Sequence, residues 1–529
     1  MDLFLGLDIG TSGVKAILMS ASGDVETSAS TPLTLDTPRP GWAEQDPGAW
    51  WQATLESIRK VLADRPAARV AAIGISGQMH SSVFLDRDGR VIRPALLWCD
   101  GRTTAECEEI TARAGGEAQL REWACNPALE GFTLPKVLWL RNHEPAAFAR
   151  LATVLLAKDF IRFRLTGALA TEPSDASATL MFDTANGRWS REILDAVELP
   201  ASLLPDVGGS AEILGYVTPD AAALTGLAAG TAVVGGGADN ACGAAGVGAI
   251  EEGDAVASWG TSGTVLAPTA TPRVDPELRA HTFCHVVPGT WYLMGVVLSA
   301  GGAFSWYRDQ IARQIAGREE RVSPSPGASD GEATSDSARQ NRDHADLLLN
   351  DEAATVPPGA DGVTFLPYLQ GERTPHRDAA ARAAFLGLSL AHTRAHLTRA
   401  VLEGICFALR DSVSILAEIG LVPGQMFLTG GGAKSPFLRQ LQADIFGLPV
   451  RTVNREEGPA YGAALLAAVG AGTFPDLAAA ANATLIRSQL EHPNPGAHAA
   501  YQQPYERFRN AYAGATGRIA PALATAASR

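Results

Sequence analysis

The chain opens on two β-rich runs. Leu3-Phe4-Leu5-Gly6-Leu7-Asp8-Ile9 and Val14-Lys15-Ala16-Ile17-Leu18-Met19-Ser20 flank the small tetrad Gly10-Thr11-Ser12-Gly13, which predicts a tight hairpin. The same tetrad recurs as Gly260-Thr261-Ser262-Gly263, again between two strand-like runs and 250 residues further on, near the start of the second half. Continuous apolar runs that end in glycine predict further buried strands. They are 70–76 before Gly77-Gln78-Met79-His80, 231–234 before Gly235-Gly236-Gly237-Ala238-Asp239-Asn240, and 425–429 before Gly430-Gly431-Gly432-Ala433-Lys434-Ser435. Residues 83–85 and 91–92 straddle an Asp86-Arg87-Asp88-Gly89 turn, and a helix is predicted from Pro436 to Phe446, with proline in its first turn and Gly447 at its end. Strands alternating with helices make an α/β protein, and Gly-rich strand ends are where such folds place ligands. The repeated tetrad predicts a duplicated domain, with a ligand held between two facing turns.

Length supports that division: 529 residues exceed a single compact core, and a split into 1–250 and 251–529 follows the repeat. Hydrophobic residues at 46% and charged residues at 19% describe a globular chain, and the net charge of −14 disfavours a nucleic-acid partner. No signal-like leader and no apolar segment of spanning length is visible, so no membrane is expected, and the six scattered cysteines without a C-x-x-C pair fit a reducing cytoplasm. Residues 323–345 contain no Val, Ile, Leu, Phe, Trp, Tyr or Met and are expected to form a mobile surface insertion; 514–529 reads as a frayed tail.

The turns carry the chemistry. Glycines let backbone N–H groups approach a phosphate, while the hydroxyls of Thr11 and Ser12 donate to its oxygens; Asp8 would be available to Mg²⁺ through water, or would simply cap the hairpin. No P-loop, dinucleotide fingerprint, zinc-protease or serine-hydrolase pattern is present. Phosphoryl transfer to a sugar hydroxyl needs one carboxylate to orient and deprotonate the nucleophile. Asp239, at a Gly-rich strand end, is the candidate; its bland alternative is a helix N-cap. An aspartate of ordinary acidity would already be ionised at neutral pH. Trp98 offers a flat face for sugar C–H groups, and His80, Asp100 and Arg102 offer hydrogen bonds, although Asp100 and Arg102 could merely pair across a turn.

These residues resemble the FGGY carbohydrate kinases of the sugar kinase/actin/heat-shock ATPase superfamily, over nearly everything from Phe4 to about Ala468. The resemblance is carried by residues 6–15, by Gly41-Trp42-Ala43-Glu44-Gln45-Asp46-Pro47-Gly48-Ala49-Trp50-Trp51, by Gly77-Gln78-Met79-His80, by Leu97-Trp98-Cys99-Asp100-Gly101-Arg102, and by Leu366-Pro367-Tyr368-Leu369-Gln370-Gly371-Glu372-Arg373-Thr374-Pro375-His376. It implies two duplicated actin-like (ribonuclease H-like) domains with a ligand cleft between them, and ATP-dependent phosphorylation of D-xylulose on its C5 hydroxyl. It implies Asp239 as the base, and Met79, His80, Asp239 and Asn240 as sugar contacts with Trp98 and Asp100 nearby. Asp8, Thr11, Ser12 and Thr261 would serve Mg²⁺ and the phosphates, and Gly431, Gly432, Ala433 and Ser435 the adenosine. Asp175 matches a recurrent family position without an assigned role, and Ser81 replaces a glycine of many relatives, which would narrow the sugar pocket. The partners implied are a small ketose and ATP, with a homodimer also open. The rival readings are a kinase of another ketose such as ribulose, and a nucleotide-driven sensor or ATPase on the same fold.

Overall fold

A computed structural model describes residues 2–63, 65, 67–312 and 335–515. The chain divides into two units, and neither is continuous: 1–254 with 266–293 and 453–487, and 255–265 with 294–452 and 488–529. This differs from the sequence-based cut at 250, because two later segments pack with the first unit.

In the first unit, β1 (Leu3–Ile9) pairs antiparallel with β2 (Gly13–Ser20), Ile9 opposite Val14, and the Gly10 amide donates to the Gly13 carbonyl at 3.0 Å. The predicted hairpin is therefore present. The sheet continues through β3 (Val25–Pro32) on one side and, on the other, through the parallel β4 (Val70–Gly77). Beyond these lie β5 (Ile213–Tyr216) and β6 (Ala232–Val234), giving the order β5-β6-β4-β1-β2-β3. The short β7 (Gly237–Ala238) pairs with the carboxyl end of β4. Side chains of a strand alternate between faces. Leu5, Leu7 and Ile9 enter one core with Trp50, Leu55 and Ile58 of the helix Pro47–Leu62, whose first turn Asp46 caps by accepting from the Gly48 amide. The alternate face of β1 meets the helix Pro459–Gly470 so closely that a Cβ on Gly6 would lie 2.0 Å from the Ala460 oxygen, and one on Gly74 of β4 1.9 Å from the Ala463 oxygen. Only glycine allows that approach.

A second, six-stranded sheet contains β8 (Asp254–Trp259), β9 (Gly263–Thr269), β10 (Trp291–Val297), β11 (Gln425–Gly430) and β12 (Val450–Arg451) in the order β10-β9-β8-β11-β12, with His281–Cys284 beyond β10. The second tetrad again joins neighbouring strands, and the helix Pro436–Phe446 ends at Gly447 in the left-handed conformation, as the sequence predicts. In the Leu366-to-His376 stretch, the buried Glu372 accepts from the amides of His376 at 2.7 Å and Arg377 at 3.0 Å and so staples its own loop.

Of the polar stretch 323–345, residues 323–334 lie outside the described residues. Residues 335–345 instead begin the helix Ser335–Ala354. Its later turns are anchored by the buried Leu349, by Arg308 to Asp346 at 2.9 Å, and by the Arg394–Glu352 ion pair. Once a helix is nucleated, the Ala, Arg, Gln and Asp residues before it extend it at little cost. Of the expected tail, Gly514 and Ala515 close the helix Gln502–Ala515, and the rest lies outside the described residues. None of the six cysteines forms a disulfide among the described residues. Among the described residues no helix is long and apolar enough to cross a membrane.

Candidate active site

Three parallel strand ends carry the sequence-predicted residues of the first unit. Asp8 of β1 is in register with Ser76 of β4, and Ser76 with Gly237 of β7. The residues that follow at one edge are therefore Gly10 and the first tetrad, Gln78 with Met79, and Asp239. Between β6 and β7 the backbone turns at Gly236 with φ 72°, where a Cβ would lie 1.9 Å from the Ile75 oxygen.

Asp239 is the first residue of the helix Asp239–Val247, preceded by Ala238. Its Oδ1 accepts from the amide of Asn240 at 2.7 Å and from its Nδ2 at 2.9 Å. It caps no later amide, so the N-cap alternative does not describe it. Desolvation raises its carboxyl to about 7, and the charge of Asp8 adds to the rise. The ordinary acidity expected from sequence does not hold, because a carboxylate loses water's stabilisation there and faces a second acid. Asp8 is itself raised to about 6 by desolvation, against the lowering effects of Lys15 and Ser76. Its Oδ1 is buried without a hydrogen bond. An orphaned carboxylate oxygen beside a phosphate-suited turn fits a hydrated Mg²⁺. Among the described residues no group of three or more His, Cys, Asp or Glu could hold a metal, so such an ion would rely on phosphate and water for its other ligands.

The walls form one network. Gln45 donates to the Thr11 carbonyl at 2.8 Å, Thr11 Oγ1 donates to Gln78 Oε1 at 3.1 Å, and Trp98 Nε1 donates to Thr11 Oγ1 at 2.9 Å. Trp98, predicted for the sugar, and Thr11, predicted for phosphate, thus sit together. Sequence reasoning missed Gln45 and Gln78; their place in motif-rich stretches was the one signal that could have found them. Ser81 is fully buried, donating to Gln78 Oε1 at 3.1 Å and accepting from the Trp98 amide at 3.2 Å. Its hydroxyl is thus tied into the wall that seats Trp98. His80 has φ 67°, a strained conformation for a side chain of this size. Its Nδ1 lies 2.5 Å from the Ala178 carbonyl, and its own carbonyl accepts from Thr133 and Lys136. Met79 Sδ accepts from Asn240 Nδ2 at 3.5 Å and from the Tyr292 hydroxyl at 3.8 Å, which brings two of the predicted sugar residues together beside one buried tyrosine.

Asp100 is engaged on both oxygens. It accepts from the Ala43 amide at 2.6 Å and from the amide, Nε and Nη2 of Arg102, and the Arg102 guanidinium lies 3.6 Å over the Trp42 ring. The pairing with Arg102 that the sequence left open is present. Asp175 also acquires a place. It is fully buried, 3.2 Å from Lys158 Nζ, which Asp159 and Glu172 share. Glu172 accepts from the Ser174 hydroxyl, and that oxygen accepts from the Ala238 amide, one residue before Asp239. Burial, with two neighbouring carboxylates, pushes the Asp175 carboxyl well up.

The second unit holds a cavity of about 500 Å³, within the usual range for small-ligand sites. Its lining includes Gly260 and Thr261 of the second tetrad, Gly301 and Gly302, and Gly431 and Ser435 of the predicted adenosine loop. Gly432 is buried behind that lining, where a Cβ would come 2.5 Å from the Trp259 ring. Ala433 is not part of the lining; its carbonyl accepts from Arg439 at 3.1 Å. The lining also includes Asn350, which, like Gly301 and Gly302, the sequence reading did not single out.

A duplicated Gly-Thr-Ser-Gly turn, a carboxyl pair at parallel strand ends and a separate cavity in the second unit accompany the two-domain, actin-like fold of a carbohydrate kinase. The chain belongs to the FGGY family of carbohydrate kinases: the family's N-terminal domain matches residues 3–246 and its C-terminal domain residues 255–471. It is 40% identical over 513 residues to a xylulose kinase of Escherichia coli strain K12, covering 96% of this chain and 98% of that protein. It is 39% identical to a xylulose kinase of Lactococcus lactis, over 97% of each chain. Among solved structures, the xylulose kinase of Rhodospirillum rubrum superposes with a TM-score of 0.84 at 32% identity, over 98% of this chain and 99% of that one. The expected two-domain actin-like fold agrees with these matches.

Proposed function

We propose that the protein phosphorylates D-xylulose at its C5 hydroxyl, consuming ATP and releasing D-xylulose 5-phosphate and ADP. The observation that carries this reading is Asp239: a desolvated carboxyl at the end of the parallel strands, with its Oδ1 held by the amide and side chain of Asn240. Relatives named xylulose kinase, similar over nearly their whole length, support the ketose.

In the proposed reaction, Oδ2 of Asp239 accepts the proton of the C5 hydroxyl as that oxygen bonds to the γ-phosphorus, and the bond from phosphorus to the bridging oxygen breaks to leave ADP. Met79, His80 and Asn240 shape the sugar pocket, and Trp98 covers it while its indole holds Thr11 in place. Thr11 and Ser12 would donate to phosphate oxygens, and Thr261, Gly431 and Ser435 line the proposed nucleotide pocket, with Gly432 packed behind it. Mg²⁺, held by phosphate oxygens and through water by Asp8, would neutralise charge that builds on the transferring group. Because water is also an acceptor, a pocket that orients the sugar and excludes water limits wasteful hydrolysis. The absence of a membrane-crossing helix among the described residues and the ATP requirement suit a cytoplasmic enzyme.

The test is ADP release with Mg²⁺-ATP against D-xylulose, L-xylulose, D-ribulose, L-ribulose and glycerol. D-xylulose is expected to be preferred, with Asp239→Asn binding ADP normally but losing about 10²-fold or more in kcat. Preference for another ketose would move the assignment of substrate while keeping the base; turnover independent of any sugar would overturn the kinase reading.

A further inference from the structure

The second unit's cavity is lined by a side chain with a buried, unbonded polar atom. Asn350, on the helix Ser335–Ala354, lines the cavity and is 6% exposed, and its Oδ1 is buried without a hydrogen bond. A buried carboxamide oxygen left unpaired costs free energy that a folded protein normally avoids. Asn350 stands three residues from Leu347 and four from Asp346, so all three share one helix face, and all three line the cavity. Phe304, Leu402 and Leu438 complete an apolar wall suited to a purine ring, while Gly260 and Thr261 supply the phosphate-suited turn.

We infer that Asn350 is the base-selecting residue of the nucleotide site, its Oδ1 accepting a hydrogen bond from the exocyclic amine of adenine. The inference rests on the nucleotide reading of this cavity given above. A carboxamide matches adenine because it presents an acceptor to the 6-amino group and a donor to an adjacent ring nitrogen. A 6-oxo purine would set its own oxygen against Oδ1, leaving two acceptors facing each other. Selection therefore comes from both an attraction and a mismatch.

The experiment compares ATP, ITP and GTP as phosphoryl donors in wild type, Asn350→Ala and Asn350→Asp, with ADP and IDP binding measured calorimetrically on the intact protein. ITP carries oxygen where ATP carries the amine. Asn350→Ala is expected to raise the KM for ATP about 10- to 100-fold with kcat within about twofold, to leave the KM for ITP nearly unchanged, and so to collapse the ATP/ITP ratio of kcat/KM. Asn350→Asp keeps an acceptor and is expected to retain preference for ATP; a purely structural role for the side chain would lower stability without changing that ratio. An ATP/ITP ratio unchanged in Asn350→Ala overturns the inference. Photolabelling of the wild-type enzyme with 8-azido-ATP separates this failure from failure of the cavity reading. Label on the peptides around Leu347 or Leu438 keeps the nucleotide in this cavity, and label confined to the first unit removes it.

Discussion

At the scale of single residues, the two acids at the strand ends set the pH behaviour. Asp239 is raised to about 7 by desolvation first and by Asp8 second, so the free enzyme holds much of it protonated at neutral pH. The kcat/KM for the ketose should fall by about tenfold per pH unit below about 7, with Asp239 as the group that must lose its proton. Asp8→Asn removes a negative charge from its surroundings, so the acid limb should move to lower pH even as overall activity drops. An unmoved limb would show that the two carboxyls do not interact. Stability carries the opposite sign. A folded-state value above the ordinary carboxylate value favours the folded state while the group is protonated, and that contribution is lost as pH rises through about 7. Asp239→Asn is therefore expected to melt above wild type at pH 8, with the gap shrinking as pH falls from 7 toward 4, as scanning calorimetry across pH would record.

At the scale of elements, hairpins and helix ends were legible from local patterns. The first tetrad closes between Ile9 and Val14, and the helix Pro436–Phe446 runs between its proline and its glycine as expected. Such features depend on turn chemistry and hydrophobic period, which neighbouring residues determine. The helix over 335–345 was not legible, because its stability comes from the anchored turns that follow it. Nor was the helix Pro459–Gly470 visible as the support of the first sheet. A Cβ on Gly462 of that helix would lie 1.9 Å from the Cys242 oxygen, so this one element packs against β1, β4 and the helix that begins at Asp239. Gly74→Val would drive a side chain into the Ala463 carbonyl and is expected to cost about 3 kcal/mol in urea denaturation of the full chain. A loss below about 0.5 kcal/mol would mean that the helix shifts freely and does not clamp the site.

For the molecule as a whole, the first unit borrows from distant sequence. Every residue proposed to hold the sugar precedes position 250, yet residues 266–293 and 453–487 belong to the same unit. A fragment of residues 1–254 lacks the helix that packs on Gly6 and Gly74, as well as Tyr292, which donates to Met79. It is expected to show no cooperative melting transition by circular dichroism and no ketose-dependent stabilisation, while the full chain shows both. A cooperatively folding fragment would mean that the returning segments decorate the unit and do not complete it.

The sequence by itself determined the strands, the repeated Gly-Thr-Ser-Gly turns, the α/β alternation and the residue types on which the proposed carboxylate-assisted transfer rests. Those follow from side-chain period, glycine placement and functional-group chemistry, all readable over short windows. Only the tertiary structure decided that Asp239 binds its proton near neutrality and that Arg102 and the Ala43 amide occupy Asp100. It also decided that Ser174 reaches the backbone before Asp239, and that Asn350 stands unpaired in a cavity. Each of these depends on what distant segments bring within a few ångströms, because desolvation and hydrogen bonding act through space and not along the chain.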